Sequence, residues 1–353
     1  MRITFVGPVP PLRGGIAHHS SRLIDALRSQ GHDVQVISWR AQYPWFLYRG
    51  EQRDEGVPPY PGARFVLRWW NVVSWWRARR MSRSSDLLVF PYVTPFLAVP
   101  QWFMAMGSRR VAAMVHNALP HERMPFERSL AKLAMGNVQL LVTHGEGVAD
   151  DIRSLGISAD IEVVSMPPTL DVEPSPLPER PPLRLLFFGY VRPYKGLKVA
   201  IASVAHLVEL GVDVSLDVVG DFWEPVDEYS ALIERLGLED RVHLKVGYVA
   251  DDELGRALAD HHIVVAPYLE DSLSGVVPLA FGAGRPVVST LVRGVAEQVD
   301  DNINGVLVAP GDPIALAEGL LKAAEDLTAL ARGAAASSTS WGSVAKALTK
   351  PFD

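Results

Sequence analysis

Apolar positions along the chain fall into short runs of about strand length that alternate with stretches spaced at three and four. Ile3 to Val6 is a β-rich run, Gly7 to Gly15 is full of Gly and Pro, and Ile16, Leu23, Ile24 and Leu27 carry helical spacing through to Arg28. The order strand, glycine loop, helix opens the chain. Further strands are predicted at Asp33 to Ser38, Asp86 to Phe90, Arg110 to Val115, Val138 to Thr143 and Ile161 to Val164, with helical stretches between most of them. Strands that alternate with helices pack as a parallel sheet covered on both faces.

Between Pro167 and Pro182 the periodicity fades into a Pro-rich stretch that suits an extended linker. The alternation then restarts, with strands at Leu183–Phe188, Val214–Val219, Val242–Val246, His262–Ala266, Pro286–Ser289 and Gly305–Val308. Helices are predicted at Leu197–Leu210, Tyr229–Leu236, Asp252–Leu258, Val276–Phe281 and Pro313–Glu325. The expected organisation is therefore an α/β domain at residues 1–170, a linker at 171–182, a second α/β domain at 183–333 and a short helical tail at 334–353. The tail can pack on either domain, the N-terminal one included. Two doubly wound, Rossmann-like domains bind ligands where strand C-termini open toward a cleft, so a two-domain cleft enzyme is the expectation.

Composition narrows the chemistry. At 353 residues and a net charge of −6 the chain is large enough for two cores and has no bias toward nucleic acid. Cysteine is absent, which excludes disulfides, thiolate metal sites and a cysteine nucleophile, and fits a reducing compartment. The N-terminus lacks a secretory apolar stretch, and no segment approaches the ~20 apolar residues of a membrane span. A cytoplasmic protein is expected. No Asp-x-Asp pair and no His/carboxylate cluster has metal spacing, so no metal or other cofactor is expected.

Two segments carry candidate phosphate chemistry. Phe188-Gly189-Tyr190-Val191-Arg192-Pro193-Tyr194-Lys195-Gly196 leaves a strand and opens a helix; Gly189 allows close backbone approach, and Arg192 and Lys195 supply positive charge. Pro267 to Gly275 ends a strand in a polar turn, where Ser272, Ser274 and the amides about Gly275 and Val276 would form a second anion-binding start, with Asp271 and Ser272 also able to cap the helix. Gly14-Gly15 is a third glycine turn. It is not a full Gly-x-Gly-x-x-Gly fingerprint, so a dinucleotide cofactor is not expected.

Lys195-Gly196, the stretch from Leu279 to Val288, Asp301-Asn302-Ile303-Asn304-Gly305 and Pro310-Gly311-Asp312-Pro313, taken in order, resemble retaining glycosyltransferase family four, of GT-B fold. The resemblance implies transfer of a sugar from a nucleoside diphosphate donor to an acceptor hydroxyl, with retention; with no metal-spaced motif in the sequence, a metal-independent transferase is expected. It makes His116, Arg192, Lys195 and Asp271 the candidate catalytic residues. Gly14, Gly15, Gly189, Gly220, Val249, Ser272, Ser274, Gly275, Val276 and Glu297 become candidates for holding the donor, and the Gly247-Tyr248-Val249 turn lies by the nucleotide base in similar enzymes.

The chain departs from the family in two places. The usual Arg directly after the glycine is Tyr190, with Arg192 two positions on, and the second of two expected Glu residues falls on Leu279, which cannot accept a hydrogen bond from ribose. Glu297 and Glu270 are the candidates to replace it. His121 and Glu122 are read as polar surface before acceptor contacts. The same fold also supports a nucleotide-sugar 2-epimerase or a non-catalytic sugar-nucleotide-binding subunit.

One segment stands outside this scheme. Arg64 to Arg80 holds four tryptophans and five arginines, a pattern shared by a crossover helix that buries its tryptophans and by an interfacial helix on anionic lipid. Peripheral contact with the inner face of the cell membrane through residues 64–83 is the corresponding expectation.

Overall fold

The computed structural model describes residues 1–45, 51–119, 126–247, 249–270 and 273–352. Residues Met1–Ser165 together with Ser340–Asp353 form one compact unit and Met166–Thr339 the other. The first holds β1 (Arg2–Val6), α1 (Gly15–Ser29), β2 (Asp33–Ala41), β3 (Arg64–Arg68), α2 (Val72–Ser82), β4 (Leu87–Tyr92), α3 (Ala98–Ala105), β5 (Val111–Val115), α4 (Glu127–Met135), β6 (Leu140–Thr143), α5 (Glu146–Ser154) and β7 (Asp160–Val163). Its seven strands run in the order β3-β2-β1-β4-β5-β6-β7, every pair parallel.

The second unit holds β8 (Leu183–Phe188), α6 (Leu197–Glu209), β9 (Val214–Gly220), α7 (Val226–Arg235), β10 (Val242–Val246), α8 (Asp251–Asp260), β11 (Ile263–Ala266), α9 (Val276–Gly282), β12 (Val287–Thr290), α10 (Arg293–Ala296), β13 (Gly305–Val308), α11 (Pro313–Glu325) and α12 (Leu327–Ser337). The strand order is β10-β9-β8-β11-β12-β13, again all parallel. The last helix, α13 (Trp341–Thr349), belongs to the first unit and packs on α1.

Burial follows from this layering. The central strands β4 and β5 are buried at every position, as a sheet covered on both faces requires, while the edge strands β3, β7 and β10 alternate or open to solvent. Alternate residues of β8 feed opposite cores, Leu185 and Phe187 on one face and Leu186 and Phe188 on the other.

Three differences from the sequence reading have identifiable causes. Arg64–Arg68 pairs with β2 as an edge strand, and the helix of the Trp/Arg segment begins only at Val72, because Asn71 caps it by accepting a bond from Ser74 N at 3.2 Å. Helix α12 runs through residues 333 and 334, where the second domain was expected to stop. The Pro-rich stretch is fastened to the second unit: His262 Nε2 donates to the Pro178 carbonyl and Arg180 to that of Ala324.

Arg285 supplies most of that fastening. It is fully buried, and its guanidinium donates to the carbonyls of Leu258, Ala259, Ser175 and Pro176 and to Ser175 Oγ, at 2.6 to 3.0 Å. Carbonyls from the last turn of α8 and from the Pro-rich stretch thus converge on one planar donor, which a shorter or apolar side chain cannot satisfy. Arg285→Leu is expected to lower unfolding stability by about 3 kcal/mol or more, because it leaves several buried acceptors unpaired. Arg285→Lys should recover only part of the loss, since an ammonium has fewer donors. Thermal and urea unfolding of the full chain measure both.

Candidate active site

In an open α/β sheet the crevice for a ligand lies where strand order reverses, beyond the strand C-termini. In the second unit that point falls between β8 and β11, and in the first between β1 and β4. The Gly189 to Lys195 segment follows β8, and the Pro267 to Gly275 loop follows β11.

The turn after β8 is built on contacts that only glycine permits. A Cβ on Gly220, at the end of β9, would lie 1.8 Å from the Gly189 carbonyl oxygen, and one on Gly196 would lie 2.0 Å from that of Pro267. Gly189 has φ 101°, and its missing side chain leaves the Lys195 ammonium 3.4 Å from where a Cβ would stand. Beyond the strands, Val191 N donates to the Asp221 carbonyl and Trp223 N to that of Val191, so the loops after β8 and β9 remain zipped together.

The two cations differ in setting. Lys195 is 8% exposed, with Nζ 5.7 Å from the centre of the Tyr268 ring. Burial, and then the neighbouring charge of Arg192, bring its ammonium down to about 8. Arg192 is half-buried, and its Cζ lies 3.8 Å from the ring centre of Trp223, a cation–π contact that holds the guanidinium in place. Trp223 in turn meets Tyr190 edge to face at 5.8 Å. The sequence reading did not single out Trp223; its signal was a Trp three residues past a strand-ending glycine.

Beside the cations, Phe188, Gly189, Tyr190, Gly220, Gly247 and Val249 help line a cavity of about 170 Å³. Apart from Asp221, the walls are glycine backbone and largely apolar side chains at and beyond the ends of β8, β9 and β10, which suits a flat ring. Tyr248 lies outside the described residues.

The loop after β11 is more committed than its sequence suggests. Asp271 and Ser272 lie outside the described residues. Ser274 is buried: its Oγ accepts from Val276 N at 3.1 Å and shares a 2.8 Å bond with Tyr268 OH, while Gln298 bonds both its amide and its carbonyl. Ser274 therefore shapes the turn that carries Gly275 and Val276. Leu279 faces the core, and Glu270 is exposed. Glu297, at the end of α10 past β12, retains a quarter of its side-chain exposure, and Arg293 Nε lies 3.6 Å from its carboxylate. Of the described groups, Glu270, Ser274 and Glu297 follow the C-terminal ends of β11 and β12.

In the first unit, Gly14 caps α1 at φ 113°, a conformation that favours glycine, and a Cβ on Gly15 would meet nothing within 4 Å. His116 follows β5. Its amide donates to the Tyr92 carbonyl, and its Nε2 is buried without a hydrogen-bond partner. Burial, and then His144, bring its imidazole down to about 3, so the ring is neutral. His121 and Glu122 lie outside the described residues. The structure adds His19 and His144 against His116, which the sequence reading did not select. Their signal was a histidine on the inward face of α1, four residues before Leu23, and another directly after β6. Among the described residues no group of three or more His, Cys, Asp or Glu is arranged to hold a metal ion.

Comparison with known proteins places these edges in context. The family model described as "Glycosyltransferase Family 4" matches residues 13–170, and the one described as "Glycosyl transferases group 1" matches residues 182–326. The 2-deoxystreptamine glucosyltransferase of Streptomyces kanamyceticus is 27% identical over 245 residues, 69% of this chain and 57% of that protein. The D-inositol 3-phosphate glycosyltransferase of Xylanimonas cellulosilytica is 33% identical over 231 residues, 58% of this chain and 53% of that one. The match therefore spans little more than half the length of either relative. The phosphatidyl-myo-inositol mannosyltransferase of Mycobacterium leprae is 24% identical over 91% of this chain and 87% of its own.

Among solved structures, Anabaena HepE in complex with UDP superposes with a TM-score of 0.71 at 19% identity, over 99% of this chain and 95% of that one. Sucrose-phosphate synthase from Thermosynechococcus elongatus gives 0.74 at 15% identity, over 100% and 98%. These likenesses give the fold, GT-B. With the two family models following each other in the order of the two doubly wound units, the chain belongs to the group 1 glycosyltransferases, family four.

Proposed function

We propose that this protein transfers a sugar from a nucleoside diphosphate donor to an acceptor hydroxyl, with retention at the anomeric carbon. The observation that carries the reading is the arrangement at the β8 turn: the buried Lys195 ammonium against Gly189, Arg192 fixed over Trp223, and a cavity of about 170 Å³ bounded by Gly189, Gly220 and Val249. A base enters the cavity and the diphosphate meets the two cations. The printed description of the Anabaena neighbour, in complex with UDP, supports a donor of this class.

In the reaction the bond from the anomeric carbon to the diphosphate oxygen breaks. The acceptor oxygen bonds to that carbon on the same face, and its proton passes to an oxygen of the leaving diphosphate. Lys195 and Arg192 stabilise the charge that develops on the diphosphate, so no divalent ion is required of the site. His116 contacts the sugar as a neutral imidazole. Glu297 takes the ribose contact that Leu279 cannot make.

We further propose that α2 and the turn before it rest on an anionic lipid surface. Trp75 and Trp69 turn inward, Trp75 donating to the Arg68 carbonyl at 2.9 Å and Trp69 packing on Phe96. Trp70, Val72, Val73 and Trp76 are each about half exposed, interleaved with Arg77, Arg80 and Arg83, and residues 64–85 contain no acidic side chain. Apolar anchors among uncompensated arginines suit the interface of an anionic bilayer.

Incubation with UDP-, GDP-, ADP- and TDP-sugars is expected to release nucleoside diphosphate from at least one. Lys195→Ala should slow that release by about a hundredfold or more without loss of thermal stability; binding without any release would instead assign a binding subunit. Because burial lowers the Lys195 ammonium, affinity for the matching nucleoside diphosphate should weaken as pH rises through about 8, and calorimetry of Lys195→Ala should lose that dependence. In sedimentation with vesicles, the chain should pellet with anionic and not with zwitterionic phospholipid. The double substitution Arg77→Glu and Arg80→Glu should cut that partition by more than about tenfold.

A further inference from the structure

His19, His116 and His144 meet beneath α13, and their bonding determines more than their proximity. The His144 Nδ1 lies 2.9 Å from the Val164 carbonyl. A carbonyl only accepts, so His144 carries its proton on Nδ1. Burial, opposed only in part by this bond, brings His144 down to about 4, and burial followed by its two histidine neighbours lowers His19 as well. A neutral His144 presents a bare Nε2, and His19 Nε2 lies 2.7 Å from it. His19 must therefore donate from Nε2, which leaves its Nδ1 bare. That Nδ1 is buried and has no hydrogen-bond partner.

The His19 ring thus has one orientation. It meets Trp341, on α13, edge to face at 4.6 Å and His116 edge to face at 4.5 Å, with interplanar angles of 83° and 82°. His116 and His144 are 6.3 Å apart between ring centres, farther than His19 lies from either of them. The last side-chain torsion of a histidine is broad, and the backbone at His116 does not fix its ring. Packing must do so.

We propose that His144 and His19 are positioning residues for His116. The bond from His19 to His144 sets the plane of the His19 ring, and the edge contact then holds the His116 ring in one orientation. This inference rests on the glycosyl-transfer reading for its chemical consequence. It goes beyond that reading in naming two residues that touch no substrate.

The test uses the full chain with ¹⁵N-labelled histidine rings. The unsubstituted protein should show His144 protonated at Nδ1 and His19 at Nε2. His144→Leu should shift or split the His116 ring signals, and His144→Gln, whose amide oxygen can accept the same bond, should restore them. With UDP-glucose as the donor probe, and whichever nucleotide sugar is turned over if that one is not, His144→Leu should lower kcat about tenfold with donor KM unchanged. His144→Gln should recover most of that loss. If the Leu variant does not fold, His19→Phe keeps the ring and removes the donor, and the same changes are expected.

His116 signals that do not move in His144→Leu, or equal impairment by Leu and Gln, would overturn the proposal in favour of simple packing. Absence of turnover by the unsubstituted chain with every nucleotide sugar overturns the transfer reading, while the ring signals still decide whether His144 and His19 orient His116.

Discussion

The candidate donor site depends on how closely three backbone turns approach one another at the end of the six-stranded sheet. Gly220 passes the Gly189 carbonyl, and Gly196 passes the Pro267 carbonyl, at separations that no Cβ allows. These approaches bring the loops after β8, β9 and β11 together without side chains between them, and leave the space that Lys195 and the adjacent cavity occupy. Any residue larger than glycine would push the turns apart and carry the cations away from the strand ends.

The two units use opposite electrostatic devices at their strand C-termini. In the second, a buried ammonium and a guanidinium pinned on an indole concentrate positive charge where desolvation makes it strong toward an anion. In the first, three histidines are held neutral by burial, and the His116 ring offers an uncharged polar edge. Neither device depends on an exposed ion pair, whose contribution would be small and screened by salt.

Much of the architecture was legible because apolar periodicity reports the faces of elements directly. All six strands of the second unit were expected within a residue or so of where they lie, since each is a short apolar run between turn residues. Arg64–Arg68 was not anticipated, because its flanking arginines and the following tryptophans read as one helix until Asn71 is seen to cap. Of the candidate residues, Gly189, Arg192, Lys195, Gly220 and Val249 come together at one sheet edge. Ser274 joins them as a structural member with its hydroxyl engaged.

By itself, the sequence determined the alternation of elements, the two-unit organisation and the placement of cations and glycines at strand ends, because these follow from local spacing and residue type. Tertiary structure alone decided which groups meet: Arg192 with Trp223, His116 with His19 and His144, and Arg285 with the Pro-rich stretch. The members of each pair lie from tens of residues to more than a hundred apart, and only the crossing of parallel strands brings them within contact. Protonation is decided at the same level, since burial lowers Lys195 and the three histidines and no property of the residues in isolation reveals it.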